Sequence, residues 1–517
     1  MQNRLLAVPI QLSRDSAEPY KQQIANGIER LIATGRLHAH DQLPSINELT
    51  AQLGVSKNTV LGAYELLYAA GLVRSEHRRG VFVEPGGPCM GKPVESARAQ
   101  PVPAPSAAPA YADAAKPPPG SGVHAQPPAM PVRFDFKIGR PAASVFPAQR
   151  WAELSSRLLR QMSRAIAEYT PAEGLWGLRM QLADHLSASK GFDVEPEQIV
   201  IVSGSQEALS LLTAHCLGEG DEAVMEAPGY TGFSRVLDMH RAKITRIPVD
   251  SQGLQVDALP QRPVRLAYVT PSHQYPLGYE LSLPRRRQLL EWAAANGTLI
   301  IEDDYDGEFR YENTPLPPLA ALDPSRVVYL GTFSKTLGPG LRLGYMVCPP
   351  ALVDAIIRRK ALLNNGCPWL EQAVMTRYIE AGEYSRHLHA LRRRYHGQRD
   401  CLLGGLDRIW GTAGRVSGQH GGMHVAFHLL DGSEHAADVA QKALACGVRL
   451  YTLPEAASGG SQDVEQRALL FGYASMDSEA IEQALERLAA VPQVIGRHHS
   501  VTTMRPFISG CGPQVYS

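Results

Sequence analysis

The sequence predicts a two-part fold: a small N-terminal α+β domain, joined by a Pro/Ala-rich linker to a large α/β domain on a mainly parallel sheet. Three observations carry this. Residues 1–85 hold three stretches of helical spacing followed by a hairpin pattern. Residues 86–132 lose all periodicity and are dominated by Pro, Ala, Gly and Ser. Residues 133–500 alternate helical segments with short apolar runs, the signature of a sheet covered by helices. Residues 501–517 are left as a C-terminal tail. A chain of 517 residues is too long for one ordinary domain, in keeping with this division.

Composition narrows the function classes. Lys+Arg and Asp+Glu both number 51, so the chain as a whole has no basic signature. Seven scattered cysteines without a C-x-x-C point to neither a disulfide framework nor a zinc site, and no metal is expected. No apolar run approaches the ~18 residues of a membrane span. The N-terminus has no signal-peptide pattern, so the expectation is a cytoplasmic protein with no membrane partner.

In the first domain, Ile24, Ile28, Leu31 and Ile32 fall on one helical face, and Gly35 stops that helix. Ser45 followed by Glu48 is a capping box opening a second helix, which ends at Gly54. Ser56 caps a third, with Val60, Tyr64 and Leu67 inward. Two short helices joined by a tight Gly turn describe a helix-turn-helix. Gly71–Arg74 and His77–Val83 then read as a hairpin with a basic tip.

The run LPSINELTAQLGVSKNTVLGAYELLYAAGLV, with RRGVFV after it, resembles the GntR-type winged helix-turn-helix. The resemblance implies binding to a double-stranded DNA operator. Ser45, Ser56, Lys57, Asn58 and Thr59 would meet phosphates and bases, and Arg78, Arg79 and Gly80 would form the wing. Asn47 stands where that family usually has an arginine. The linker, unable to bury enough apolar area to offset its ordering entropy, reads as a semi-stiff tether of long reach.

The large domain is organised around Gly331–Tyr345. Lys335 sits there among small and hydroxyl residues, with Arg342 seven positions on. A partly desolvated lysine loses basicity and can form a Schiff base. Thr332, Ser334 and Arg342 suit a phosphate ester. The apolar run Leu299–Ile301 leads into Glu302-Asp303-Asp304-Tyr305, a buried strand with carboxylates at its C-terminal tip. Lysine, carboxylate and phosphate site together are the minimum kit for pyridoxal 5′-phosphate. Ser203–Leu209 follows another strand and opens a helix, where Gly204 allows close approach and the N–H groups of Ser205 and Gln206 would hold phosphate.

The segments EDDYDGEF and TFSKTLGPGLRLGY resemble the fold-type I, class I aminotransferases, and more closely the effector domain of MocR/GabR-type regulators. That resemblance implies roles. Asp303, rather than the adjacent Asp304, bonds the pyridine nitrogen; Tyr305 bonds the ring O3′; Tyr230 stacks on the ring. Tyr275 replaces the asparagine of the aminotransferase N-P-T-G motif. Tyr169 would reach the phosphate of a neighbouring subunit, implying a homodimer, and Arg467 would grip an effector carboxylate. Gly232 stands where GabR-type proteins place an effector-binding arginine. The implied function is a transcription regulator that senses a small amine or amino acid through an external aldimine formed at Lys335. The alternative is an active aminotransferase that has acquired a DNA-binding head. With Lys335, Asp303 and Tyr305 as the catalytic set, a residual aminotransferase half-reaction is compatible with the first.

Overall fold

The computed structural model describes residues 9–10, 12–13, 18–76, 80–84, 132–311, 316–430 and 434–489. The expected wing residues Arg78 and Arg79, nearly all of the linker and the C-terminal tail lie outside the described residues. The chain divides into two compact units, residues 1–125 and 126–517.

The N-terminal unit has helices α1 (Tyr20–Ala33), α2 (Ile46–Leu53) and α3 (Lys57–Ala69), then strands β1 (Val73–Glu76) and β2 (Gly80–Val83). The capping box forms: Ser45 Oγ accepts from Glu48 N, and Glu48 Oε2 accepts from Ser45 N at 2.7 Å. Gly54 ends α2 at φ 64°, a left-handed turn that glycine adopts without penalty. Ser56 then caps α3 by accepting from Thr59 N at 3.2 Å. Ile24, Ile28, Leu49, Val60, Tyr64, Leu67, Val73 and Val83 form one core. Tyr64 is buried there and donates to Pro44 O at 2.6 Å, which pins α3 to the turn before α2. β1 and β2 pair antiparallel, Val73 opposite Val83.

The C-terminal unit holds an eight-stranded sheet of β3 (Ile199–Val202), β4 (Glu222–Ala227), β5 (Lys243–Asp250), β6 (Gly253–Leu254), β7 (Leu266–Val269), β8 (Leu299–Asp303), β9 (Val327–Thr332) and β10 (Gly344–Val347). Its order is β3-β10-β9-β8-β7-β4-β5-β6. The central pairs are parallel; β10 runs antiparallel to both its neighbours, and so does β6 to β5. Alternate residues feed two cores. Ile199, Ile201, Val224, Val269 and Ile300 face one; Val200, Val202, Met225, Leu266 and Ile301 face the other. Burial on both faces is why these strands read as unbroken apolar runs.

A second lobe packs its own core on a four-stranded antiparallel sheet. Its strands β11 (Gly414–Ser417), β12 (His424–Leu429), β13 (Tyr451–Thr452) and β14 (Ala468–Gly472) run in the order β11-β12-β14-β13. Among the described residues, no helix is long and apolar enough to cross a membrane.

Candidate cofactor site and DNA-reading head

The segments after β3, β4, β7, β8 and β9 converge at one end of the sheet, because parallel strands present their C-terminal tips together. There they enclose a cavity of about 260 Å³. Gly204, Ser205 and Gln206 line it from the start of helix α4 (Ser205–Cys216); Asp303 and Tyr305 come from the end of β8; Thr332 ends β9, and Ser334, Lys335 and Arg342 follow it. Tyr230 and Tyr275 complete the wall, with ring centroids 5.7 Å apart and nearly perpendicular planes.

Gly204 has φ 99°, and a Cβ there would lie 3.3 Å from Arg342 Nη2, so glycine lets the guanidinium close over the first turn of α4. The first-turn backbone of α4, the hydroxyl residues Ser205, Thr332 and Ser334 and the Arg342 guanidinium thus line the cavity, a donor set suited to a phosphate dianion. Arg342→Ala is expected to weaken binding of a phosphorylated cofactor at least tenfold, since a charge-assisted bond is worth ~1.5–3 kcal/mol. Equilibrium dialysis against pyridoxal phosphate measures this; unchanged affinity would remove Arg342 from the site.

Lys335 Nζ donates to Gly139 O at 2.8 Å. Burial holds its amine below the usual lysine range, against the pull of Asp306 and Asp303. Asp303 is buried and accepts from Tyr268 Oη at 2.9 Å. Its other oxygen, Oδ1, is buried without a hydrogen-bond partner. Burial pushes this carboxyl up to about 7. Asp304 does not line the cavity. Burial raises it too, but Lys190 Nζ and Tyr329 Oη, each at 2.6 Å, hold it below the usual carboxylate range.

Tyr275 donates its hydroxyl to Ala456 O at 3.1 Å. Gly232 packs under Tyr230: a Cβ at 232 would lie 2.4 Å from that ring. Tyr169 is 86% exposed and outside the cavity of its own chain. Arg467 ends the helix Gln462–Arg467, also outside the lining.

Some wall residues carried no signal in the sequence. Gly139 meets Lys335 from 196 positions away. Tyr268 looks like one more apolar strand residue. His273 and Asp306 lie outside the lining, and only the folded chain shows what they touch.

In the head, Lys57 and Asn58 are exposed on the first turn of α3, with Thr59 half-buried beside them. Ser45 and Ser56 each accept a backbone N–H through their hydroxyl oxygen, as caps. Gly80 opens β2 at φ 120°; a Cβ there would lie 2.7 Å from Gln42 Nε2.

Comparison with known proteins agrees with both parts. Residues 20–83 match the model for bacterial regulatory proteins of the gntR family, and residues 134–488 the model for aminotransferase class I and II. The probable rhizopine catabolism regulatory protein MocR of Rhizobium meliloti is 34% identical, covering 74% of this chain and 76% of its own. The pyridoxine biosynthesis transcriptional regulator PdxR of Corynebacterium glutamicum is 31% identical over 94% of this chain and 98% of its own. The chain belongs to the MocR-type branch of the GntR family of transcription regulators.

For a MocR-type chain the second domain is an aminotransferase fold. LysN, the alpha-aminoadipate aminotransferase of Thermus thermophilus, solved with N-(5′-phosphopyridoxyl)-L-leucine, superposes with a TM-score of 0.63 at 31% identity. The match covers 69% of this chain and 91% of that one. The cofactor of this fold is pyridoxal 5′-phosphate, and the residues present fit it. A lysine amine of lowered basicity, an unpartnered carboxylate oxygen and a phosphate-type donor set share one cavity. When bound, the cofactor supplies an electron-withdrawing ring that activates an attached amine. Lys335 would hold its carbonyl carbon, Asp303 its ring nitrogen, and Gly204–Gln206 with Arg342 its phosphate.

Proposed function

We propose that this regulator senses a small amine or amino acid at the Lys335 cavity and passes the signal to a DNA-reading head whose α3 enters the major groove. The observation that carries it is the joining, in one chain, of a complete cofactor cavity to a helix-turn-helix with an exposed Lys57 and Asn58 on its first turn. The working form is a homodimer, a reading favoured by the exposure of Tyr169, which leaves that side chain available to a second copy. Two heads per dimer raise effective concentration on paired half-sites.

Lys57→Ala should weaken binding to operator and random DNA alike, because a phosphate contact carries no sequence information. Asn58→Ala should instead relax preference at one base pair, at a cost of about 1–3 kcal/mol against the best site. Selection from a randomised DNA pool by each variant tests this. Affinity should also fall steeply with salt as phosphate contacts release counterions. Salt-independent binding, or no binding by the full chain, would point to a protein-interaction module instead.

The full transamination cycle is disfavoured by two features. Tyr275 gives its hydroxyl to Ala456 O, where the usual asparagine would act on the cofactor ring. Gly232 offers no side chain to orient a substrate, and misplaced reacting groups cost roughly 100-fold in rate.

A further inference from the structure

Behind Tyr305 lies a buried group of side chains that the site as described does not use. His273 Nδ1 is 2.9 Å from Asp306 Oδ2 and 3.1 Å from Tyr305 Oη. His424 stands across from His273, ring centroids 4.8 Å apart. His273, Asp306 and His424 are each at most 4% exposed. Three glycines close around the His273 ring. A Cβ at Gly422 would lie 2.3 Å from its Cε1, one at Gly278 2.9 Å from its Nε2, and one at Gly418 3.1 Å from its Nε2. Gly418 and Gly422 belong to the connection between β11 and β12, so the second lobe forms part of this wall.

The hydrogen positions follow from the partners. A carboxylate can only accept, so Asp306 requires the hydrogen of His273 to sit on Nδ1. His273 Nε2 is buried without a partner, so a second hydrogen there would be an unsatisfied donor. The geometry thus places a hydrogen on Nδ1 and leaves Nε2 with nothing to bond. His424 follows the same logic. Its Nε2 lies 3.0 Å from Pro276 O, which can only accept, and its buried Nδ1 is bare. Burial pushes His424 down to about 3, so it adds no charge.

We infer that Asp306 and His273 are positioning residues that make Tyr305 a hydrogen-bond donor into the cofactor cavity. The Nδ1–H is shared between Asp306 Oδ2 and the phenol oxygen, and occupies a lone pair of the latter. The phenol hydrogen cannot then turn back to His273 and is directed to the cavity that Tyr305 lines. Asp306 acts one step further away, by fixing the tautomer. Burial holds Tyr305 well above the ordinary phenol range, which keeps that hydrogen in place. The inference rests on the cavity being the cofactor site. Its consequence is that an anionic oxygen on the bound cofactor is stabilised only while the dyad is intact.

Two measurements on the full-length protein separate the dyad from the cofactor reading. In cofactor-free, [15N]histidine-labelled protein, His273, identified by its loss in His273→Asn, should show a protonated Nδ1 and a bare Nε2 at neutral pH. In loaded protein, the pH midpoint of the visible cofactor band should rise by roughly 1–2 pH units in Asp306→Asn and His273→Leu, the worth of one lost bond to a charged acceptor. Tyr305→Phe should give the same rise, and adding His273→Leu to it should add nothing. His273→Asn, which keeps an N–H at the Nδ1 position, should restore most of the wild-type midpoint. The other groups acting on Tyr305, namely Asp306, Tyr275, Asp303 and Glu226, are unchanged in the histidine variants. A protonated Nε2 in wild type, an unmoved midpoint in folded His273→Leu, or a stoichiometric metal ion held by His273, Asp306 and His424 would overturn the inference. Absence of any visible band in wild type would overturn the cofactor-site reading instead, and the tautomer would then decide the dyad alone.

Discussion

Lys335→Ala should abolish covalent attachment of the cofactor altogether. Borohydride reduction of the wild-type protein is expected to fix pyridoxal phosphate to one lysine, found by peptide mapping at Lys335, and to label nothing in the variant. The reason is geometric. Lys335 Nζ reaches the cavity held by Gly139 O at 2.8 Å, and burial keeps its amine less protonated than a surface lysine. The phosphate-binding groups are untouched by this change, so the variant should still bind the cofactor reversibly through Arg342 and the start of α4. Labelling of another lysine, or none in saturated wild type, would remove Lys335 from its role.

The second large effect is a pH dependence of stability that Asp303 imposes on the cofactor-free protein. Burial lifts its carboxyl to about 7 when folded, against an ordinary value of 3.8. Below pH 4 the group is protonated in both states and costs nothing. Between pH 4 and 7 the unfolded chain releases the proton while the folded chain keeps it, so stability falls as pH rises. A rise of that size is worth on the order of 4 kcal/mol. Glu226 and Glu302, both lifted to about 7 by burial, act in the same direction over the same window. Glu308 acts in the opposite sense at lower pH. Burial raises it, but Lys190 and His185 bring it down to about 2, so its contribution is lost only as pH falls below about 4.5. Asp303→Asn should therefore flatten the loss of thermal stability between pH 4.5 and 7 in cofactor-free protein. Loading should flatten it as well, because a cationic N–H on Oδ1 restores the carboxylate. Equal slopes for wild type and variant would show that Asp303 is not the strained group.

Much of this was legible in the sequence because it is local. The capping box at Ser45–Glu48, the left-handed Gly54 and the Ser56 cap are decided within a few residues. The strands of the large sheet announce themselves as apolar runs because both faces are covered, and the cavity residues follow those runs directly. Asp303, at the end of β8, lines the cavity, while Asp304, the next residue, is held by Lys190 and Tyr329 outside it. What was illegible is non-local. β10 is hidden as the tail of the lysine motif, and only pairing with β9 and β3 makes Gly344–Val347 an antiparallel strand. The second lobe gathers strands spread over residues 414–472, too short and interrupted to signal a sheet. His273 and His424 are 151 positions apart in the chain, and nothing near either predicts the other.

The most direct test of the account is DNA affinity of the cofactor-loaded full-length protein, measured across a panel of amines and amino acids while the visible spectrum is recorded. A compound that binds one state better than the other must shift the balance between them. The account predicts that at least one compound changes the cofactor band within seconds and changes operator affinity in parallel. Conversion of that compound should be slow or limited to a single turnover, and Lys335→Ala should lose both responses while the head still binds DNA. Rapid multiple turnover of an amino acid with a keto acid, with operator affinity unmoved by either, would contradict it and identify an aminotransferase with a DNA-binding head.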